Sequence, residues 1–281
     1  MTENKKEFKL LQRKTPASLL PNALTILGVC LGLSSIKFAL DSNYEMAVIT
    51  VGLAALLDTL DGRVARLVNA TSKVGKELDS LTDVISFGVA PSFIMYFWSI
   101  NEMGKIGWLF VLLYTVCCAL RLARFNLTNI KENESWKINF FEGVPSPASA
   151  GLVLLPLILS LSSIAEIFNL NQIIQTLNLS NIFQLENTKI ISSIVILTTS
   201  VLMVSKVPTY SLKRIAIPRS LTGFLLLGIG AYISVLIIFT FEILFLTGLV
   251  YFFLMPISYF HYKHLNKKSS KDEEEEIEDI L

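Results

Sequence analysis

Apolar residues in this chain come in long runs, without the three- and four-residue spacing that marks a helix with one wet face. A helix needs roughly 20 such residues to cross ~30 Å of hydrocarbon. Runs near that length predict spans at Leu19 to Leu40, Glu45 to Ala65, Leu81 to Ile100, Ile106 to Ala123, Ser146 to Phe168, Ile190 to Lys206, Leu221 to Phe239 and Glu242 to Tyr262. The expected fold class is an all-α integral membrane protein with about eight transmembrane helices. Residues 19–262 form its membrane domain. Residues 1–18 are a basic segment, read either as a short helix on anionic headgroups or as a disordered tail. Residues 263–281 end in KDEEEEIEDIL and read as a solvated, disordered tail. The polar stretch 169–187 is assigned no function.

Composition agrees, with 52% apolar against 17% charged residues. A net charge of +1 gives no basic field, so no nucleic-acid partner is expected. The basic residues sort by side instead. All but Lys37, Lys105 and Lys189 of the 24 lysines and arginines fall on one face of this topology. The positive-inside rule makes that face cytoplasmic, with both termini on it. The first apolar run is too long for a cleavable signal, so the first span is expected to stay. Cys30, Cys117 and Cys118 sit inside apolar runs as small packing residues, and His261 and His264 lack other ligand types nearby. Gly28 and Gly32 form a G-x-x-x-G pair that lets two helices approach closely.

Chemistry concentrates in LLDTLDGRVARLVNATSKVGKELDSLTDVISFG. Asp58 and Asp61 are three apart and Asp79 and Asp83 four apart, so each pair shares a helix face. Antiparallel packing of the two helices brings the pairs together. Each ionised carboxylate in a membrane helix costs about 2.5 to 3.5 kcal/mol at the centre, so a cation must offset the four. An oxygen-only donor set favours Mg²⁺ or Mn²⁺, with Ca²⁺ an alternative, and four carboxylates suit two ions bridging a pyrophosphate. Gly62 and Ala65 leave room beside the helix at the level of the acids. Arg66 offers a planar guanidinium to a phosphate oxygen.

These residues resemble the CDP-alcohol phosphotransferases, whose signature is D-x-x-D-G-x-x-A-R, eight residues, then G-x-x-x-D-x-x-x-D. The match runs through Asp58, Asp61, Gly62, Ala65, Arg66, Gly75, Asp79 and Asp83 with the spacing intact. The resemblance implies a six-helix catalytic core, usually homodimeric, to which two of the eight spans are additions. It further implies that Asp58, Asp61 and Asp79 ligate two metal ions, and that Asp83 ligates and serves as general base. Gly62, Ala65, Arg66 and Gly75 then line the CDP site, with Asn22 and Thr25 either reaching the nucleotide or hydrogen-bonding between helices.

Three further stretches, LLPNALT at Asn22, RLARFN at Arg121 to Asn126 and GVPSPASAG at Gly143 to Gly151, are similar to the phosphatidylserine synthase branch of that family. The donor implied is CDP-diacylglycerol and the acceptor L-serine. Arg121, Arg124, Asn126 and Ser146 are the candidate acceptor-binding residues, because a guanidinium fork suits the serine carboxylate. Positive-inside bias alone also explains both arginines, and Ser146 either touches ligand or simply opens the fifth helix. The place expected is a prokaryotic plasma (inner) membrane with a cytoplasmic active site. Glycerol 3-phosphate or an inositol phosphate is the alternative acceptor. A cation transporter is the alternative of another class, since intramembrane acids also mark ion paths.

Overall fold

The computed structural model describes residues 20–68, 73–127, 140–163, 185–211 and 221–278, in two units divided between Ile94 and Met95. The basic segment 1–18 and most of the polar stretch 169–187 lie outside the described residues.

In the first unit, α1 (Leu20–Leu40) has 21 residues, about 31 Å at the helical rise of 1.5 Å per residue. A tight turn then reverses the chain, with Ser42 at φ 60° and Lys37 paired with Asp41. α2 (Tyr44–Leu67) starts on Asn43, whose side-chain oxygen accepts the Met46 N–H at 3.2 Å. That cap satisfies one of the N–H groups a helix start leaves unpaired. α3 (Lys73–Asp83) packs on α1 and continues unbroken through a π-helical segment, Val84–Val89, into α4 (Ala90–Met95). π-helical turns are rare and often mark functional sites. This one begins at the residue after Asp83. Inside it, Ser86 Oγ donates to the Gly28 carbonyl on α1 at 3.2 Å. A Cβ on Gly32 would stand 2.6 Å from Ser86 Oγ and 2.9 Å from Ser86 Cα. The Gly28 and Gly32 pair therefore does seat two helices against each other, and both belong to this chain.

In the second unit a further π-helical stretch, Tyr96–Ile100, and a 3₁₀ turn, Asn101–Met103, lead into α5 (Lys105–Leu127). β1 (Phe140–Glu142) precedes Gly143, which has φ 74° and whose Cβ would lie 2.7 Å from the Met203 carbonyl oxygen. Only glycine suits both the left-handed backbone and the contact. Next come α6 (Ser146–Val153), α7 (Leu155–Leu161), α8 (Leu185–Val204), β2 (Pro208–Tyr210), α9 (Thr222–Ile238) and α10 (Thr240–Glu278). β1 and β2 pair antiparallel, with Phe140 opposite Tyr210. α5 packs on α8 through a buried face bearing Val111, Tyr114, Cys118 and Arg121, three to four residues apart. α10 packs on α6, α7 and β2. His261 on α10 places Nδ1 2.9 Å from the Tyr210 hydroxyl, which gives it a packing role at the strand pair.

Polarity is inverted relative to a water-soluble fold. Ser86, Ser92, Ser149, Ser192 and Ser200 are almost fully buried, and Ser99 bonds to Ser192 at 2.9 Å, while large apolar side chains cover the outer faces of the long helices. Hydroxyls bonded between or within helices, with hydrocarbon outside, are the arrangement a bilayer selects. Leu20–Leu40, Val74–Met103, Lys105–Asn126 and Thr240–Asn266 are long and apolar enough to span, and Thr188–Val204 and Thr222–Ile238 are shorter apolar helices. The protein is an all-α integral membrane protein carrying one two-stranded ribbon among its described residues.

Three expectations change. The fifth span is not one helix: α6 ends at Leu154 and α7 restarts with Pro156 in its first turn, because proline supplies no N–H to continue the ladder. Its last residues, 164–168, lie outside the described ones. The tail expected to be coil continues α10 to Glu278, and the sequence from 257 to 278 holds no glycine or proline to stop it. Cys30 faces outward, whereas Cys118 is buried as expected.

Candidate active site

Helical spacing and antiparallel packing bring the acids of α2 and α3 to one place. Asp58, Asp61 and Asp79 each offer an oxygen within 4.8 Å of the others. Asp83 stands outside that trio and faces Asp58, so the four carboxylates divide as three plus one. Asp61 is only 4% exposed, and the Thr25 hydroxyl lies 2.6 Å from its Oδ2. The same hydroxyl is 3.0 Å from the Pro21 carbonyl, and its single proton serves one acceptor at a time. Thr25 thus ties α1 to α2 at the level of the acids.

A cleft of about 280 Å³ opens beside the trio. Asn22, Thr25, Gly62, Ala65, Arg66 and Gly75, the six residues expected to line a nucleotide site, all line it, together with Asp61 and Asp79. A Cβ on Gly62 would meet nothing within 4 Å, so the missing side chain is part of the open space. Arg66 Nε donates to the Gly62 carbonyl at 3.1 Å, which holds the guanidinium at the cleft wall. Pro21 and Lys76 also line the cleft and were not foreseen. Lys76 had a signal: it follows the motif glycine Gly75 and lies one helical turn before Asp79.

The donor set fits a hard cation. Ligand oxygens on opposite sides of one Mg²⁺ are about 4.2 Å apart, and around Ca²⁺ about 4.6 to 5.2 Å. Oxygens already within 4.8 Å of one another need shifts of only a few tenths of an ångström to close on either ion. An all-carboxylate cluster, partly withdrawn from water, concentrates negative charge that such an ion neutralises.

The acceptor candidates lie in the second unit, where the two arginines separate. Arg121 is buried, 6% exposed, and its Nη1 donates to Ser146 Oγ at 3.2 Å. The Ser146 carbonyl accepts from Ser149 Oγ at 2.8 Å, and the Tyr114 hydroxyl reaches Ser149 Oγ at 3.2 Å. Ser146 opens α6 without capping it by its side chain. Arg124 donates from Nη1 to the Val204 carbonyl at 2.8 Å and from Nη2 to the Ser205 carbonyl at 3.2 Å. It caps the C-terminal end of α8, where a cation suits the helix dipole. Asn126 stands partly buried near the end of α5.

Residues 18–181 match the sequence pattern described as CDP-alcohol phosphatidyltransferase. A protein of Mycobacterium leprae named CDP-diacylglycerol–serine O-phosphatidyltransferase is 44% identical over 151 residues, covering 53% of this chain and 50% of that protein. A Helicobacter pylori protein of the same name is 47% identical over 145 residues, 51% of this chain and 59% of that one. A Bacillus subtilis protein, again so named, is 38% identical over 136 residues, 48% of this chain and 73% of that one. The chain thus spans about half the length of the mycobacterial and Helicobacter relatives. With more than half its length inside the matched pattern, and every signature residue on one helix pair, the chain belongs to the CDP-alcohol phosphatidyltransferase family.

Proposed function

We propose that this protein transfers the phosphatidyl group of CDP-diacylglycerol to L-serine, forming phosphatidylserine and releasing CMP. The observation that carries the donor half is the cleft in which Asp61 and Asp79 of the carboxylate trio meet Arg66, Lys76 and the open face of Gly62. Cations beside a glycine-lined space suit a pyrophosphate. Serine as acceptor is supported by the names of the relatives and by Arg121, a buried guanidinium matched to a carboxylate.

In this reading Asp58, Asp61 and Asp79 hold Mg²⁺ or Mn²⁺, two ions with Asp83 contributing. The bound metal supplies charge neutralisation at the pyrophosphate. Arg66 and Lys76 hold phosphate oxygens, and Thr25 keeps Asp61 aimed. Asp83 takes the serine hydroxyl proton as the serine oxygen bonds to the lipid-bearing phosphorus and the bond to CMP breaks. The acyl chains stay in the bilayer, and the acids and both termini face the cytoplasm of a prokaryotic cell. A homodimer follows from family likeness alone, since the Gly28 and Gly32 face is occupied within the chain.

The test is CMP release from labelled CDP-diacylglycerol by purified protein with Mg²⁺ or Mn²⁺. Serine should stimulate release far more than glycerol 3-phosphate or inositol phosphate. No CMP release with any alcohol, alongside cation flux in vesicles, would replace the enzyme reading by the transporter one.

A further inference from the structure

Lys76 belongs to no position of the signature, yet it lines the cleft beside Asp61 and Asp79. It stands three residues before Asp79 and seven before Asp83, so all three share one face of α3. At the helical rise of 1.5 Å per residue, Asp79 lies about 4.5 Å beyond Lys76 along the axis and Asp83 about 6 Å beyond that. The face therefore carries, in order, a cation, a clustered acid and an outlying acid. Lys76 is the one nearest the start of the apolar span Val74–Met103, and Asp83 lies deeper in it. Arg66 on α2 is held by its Nε bond to the Gly62 carbonyl, whereas Lys76 is exposed and its ammonium makes no ion pair among the described residues. A positive-inside charge alone needs no place in the cleft.

An in-line displacement puts the attacking and leaving oxygens on opposite sides of the phosphorus. With Asp83 taking the proton on the attacking side, the leaving oxygen lies toward the other end of the same row. We propose that Lys76 is the leaving-group residue: its ammonium binds the phosphate of the departing nucleoside monophosphate and neutralises the charge gained there as the bond breaks. The serine oxygen bonds to the lipid-bearing phosphorus and its proton passes to Asp83. The electron pair of the broken P–O bond stays on the CMP oxygen, and Lys76 gives up no proton. The acyl chains favour the same order, since they draw the lipid-bearing phosphate toward the bilayer and leave CMP at the water side. This rests on the phosphatidyl-transfer reading above and assigns one cation of the cleft to one of the two phosphates.

The test uses the full chain in nanodiscs, comparing wild type with Lys76→Met, which keeps the length and loses the charge, and Lys76→Arg, which keeps the charge. CMP serves as product inhibitor, and cytidine, which lacks the phosphate, is the control. Lys76→Met should weaken CMP inhibition roughly tenfold or more, as loss of a hydrogen bond to a charged group implies, and slow single-turnover CMP formation by a similar factor. Cytidine inhibition and the serine KM should stay put, and Lys76→Arg should recover most of both losses. Unchanged CMP inhibition, an equal loss of cytidine inhibition, an unchanged single-turnover rate, or Lys76→Arg no better than Lys76→Met overturns the assignment. Wild-type protein with no CMP release from CDP-diacylglycerol would sink the functional reading as well. Wild-type turnover with a silent Lys76→Met sinks only this inference.

Discussion

Replacing Gly32 by alanine tests how α1 is seated above the acids. The new Cβ would stand 2.9 Å from Ser86 Cα, against about 3.4 Å for ordinary contact. A rotamer change relieves the Ser86 Oγ clash at 2.6 Å, but the Cα belongs to the backbone and cannot turn away. α1 must therefore back off by about 0.5 Å, and overpacking of this kind costs about 1–3 kcal/mol. Gly28→Ala is the control, because its Cβ would meet Thr82 Cγ2 at 3.4 Å without strain. Thr25 lies two turns before Gly32 on the same face, so displacing α1 also stretches its 2.6 Å bond to Asp61. We expect Gly32→Ala to lower the unfolding midpoint in detergent by several degrees and to reduce CMP release, while Gly28→Ala stays near wild type. Equal effects from the two substitutions, or a stable Gly32→Ala with an altered oligomeric state, would refute the packing assigned here.

Asp58→Asn, Asp61→Asn and Asp79→Asn should each abolish turnover, since each removes one of three clustered oxygens, and chelator should do the same reversibly on return of Mg²⁺ or Mn²⁺. Full activity in excess chelator would contradict the metal role. Asp83→Asn should cut turnover by ~10²-fold or more while donor binding suffers less, the pattern of a lost general base; loss of donor affinity with turnover intact would reverse that assignment. Arg121→Lys should raise the serine KM, because a point charge replaces a fork. Arg124→Ala should instead lower stability by about 1 kcal/mol through the lost α8 cap and leave the serine KM alone; a serine KM shift in Arg124→Ala would restore it to the acceptor site.

The acid cluster and its cleft were legible in the sequence because helical geometry is periodic. Two acids three apart and two acids four apart can point only one way once their helices pack, and the residues beside them follow onto the same cleft. The surroundings of the arginines in the second unit were less legible. Arg121 and Arg124 are three apart on one helix and both satisfy the positive-inside rule, so only the packing of α6 and α8 reveals that one is buried against Ser146 and the other caps a helix end. The break at Leu154 was signalled by Pro156 and was hidden only by the unbroken apolarity around it.

The π-helical segment after Asp83 couples chain length to the aim of the clustered acids. Such a turn holds one more residue than the regular helix on either side. Deleting a single residue from Val84–Val89 would let the ladder relax to ordinary α-helical bonding, a local gain in regularity. The phase of the flanking helix would survive, because the residue removed is the one that the wide turn absorbs. Forcing all six residues into regular geometry is what would rotate everything upstream by about 100° relative to Ser92 and Ile94, which are anchored in the interior. Asp79 and Asp83 would then swing off the face shared with Asp58, so the irregular turn lets the chain carry one more residue here without losing the angular phase of the acids.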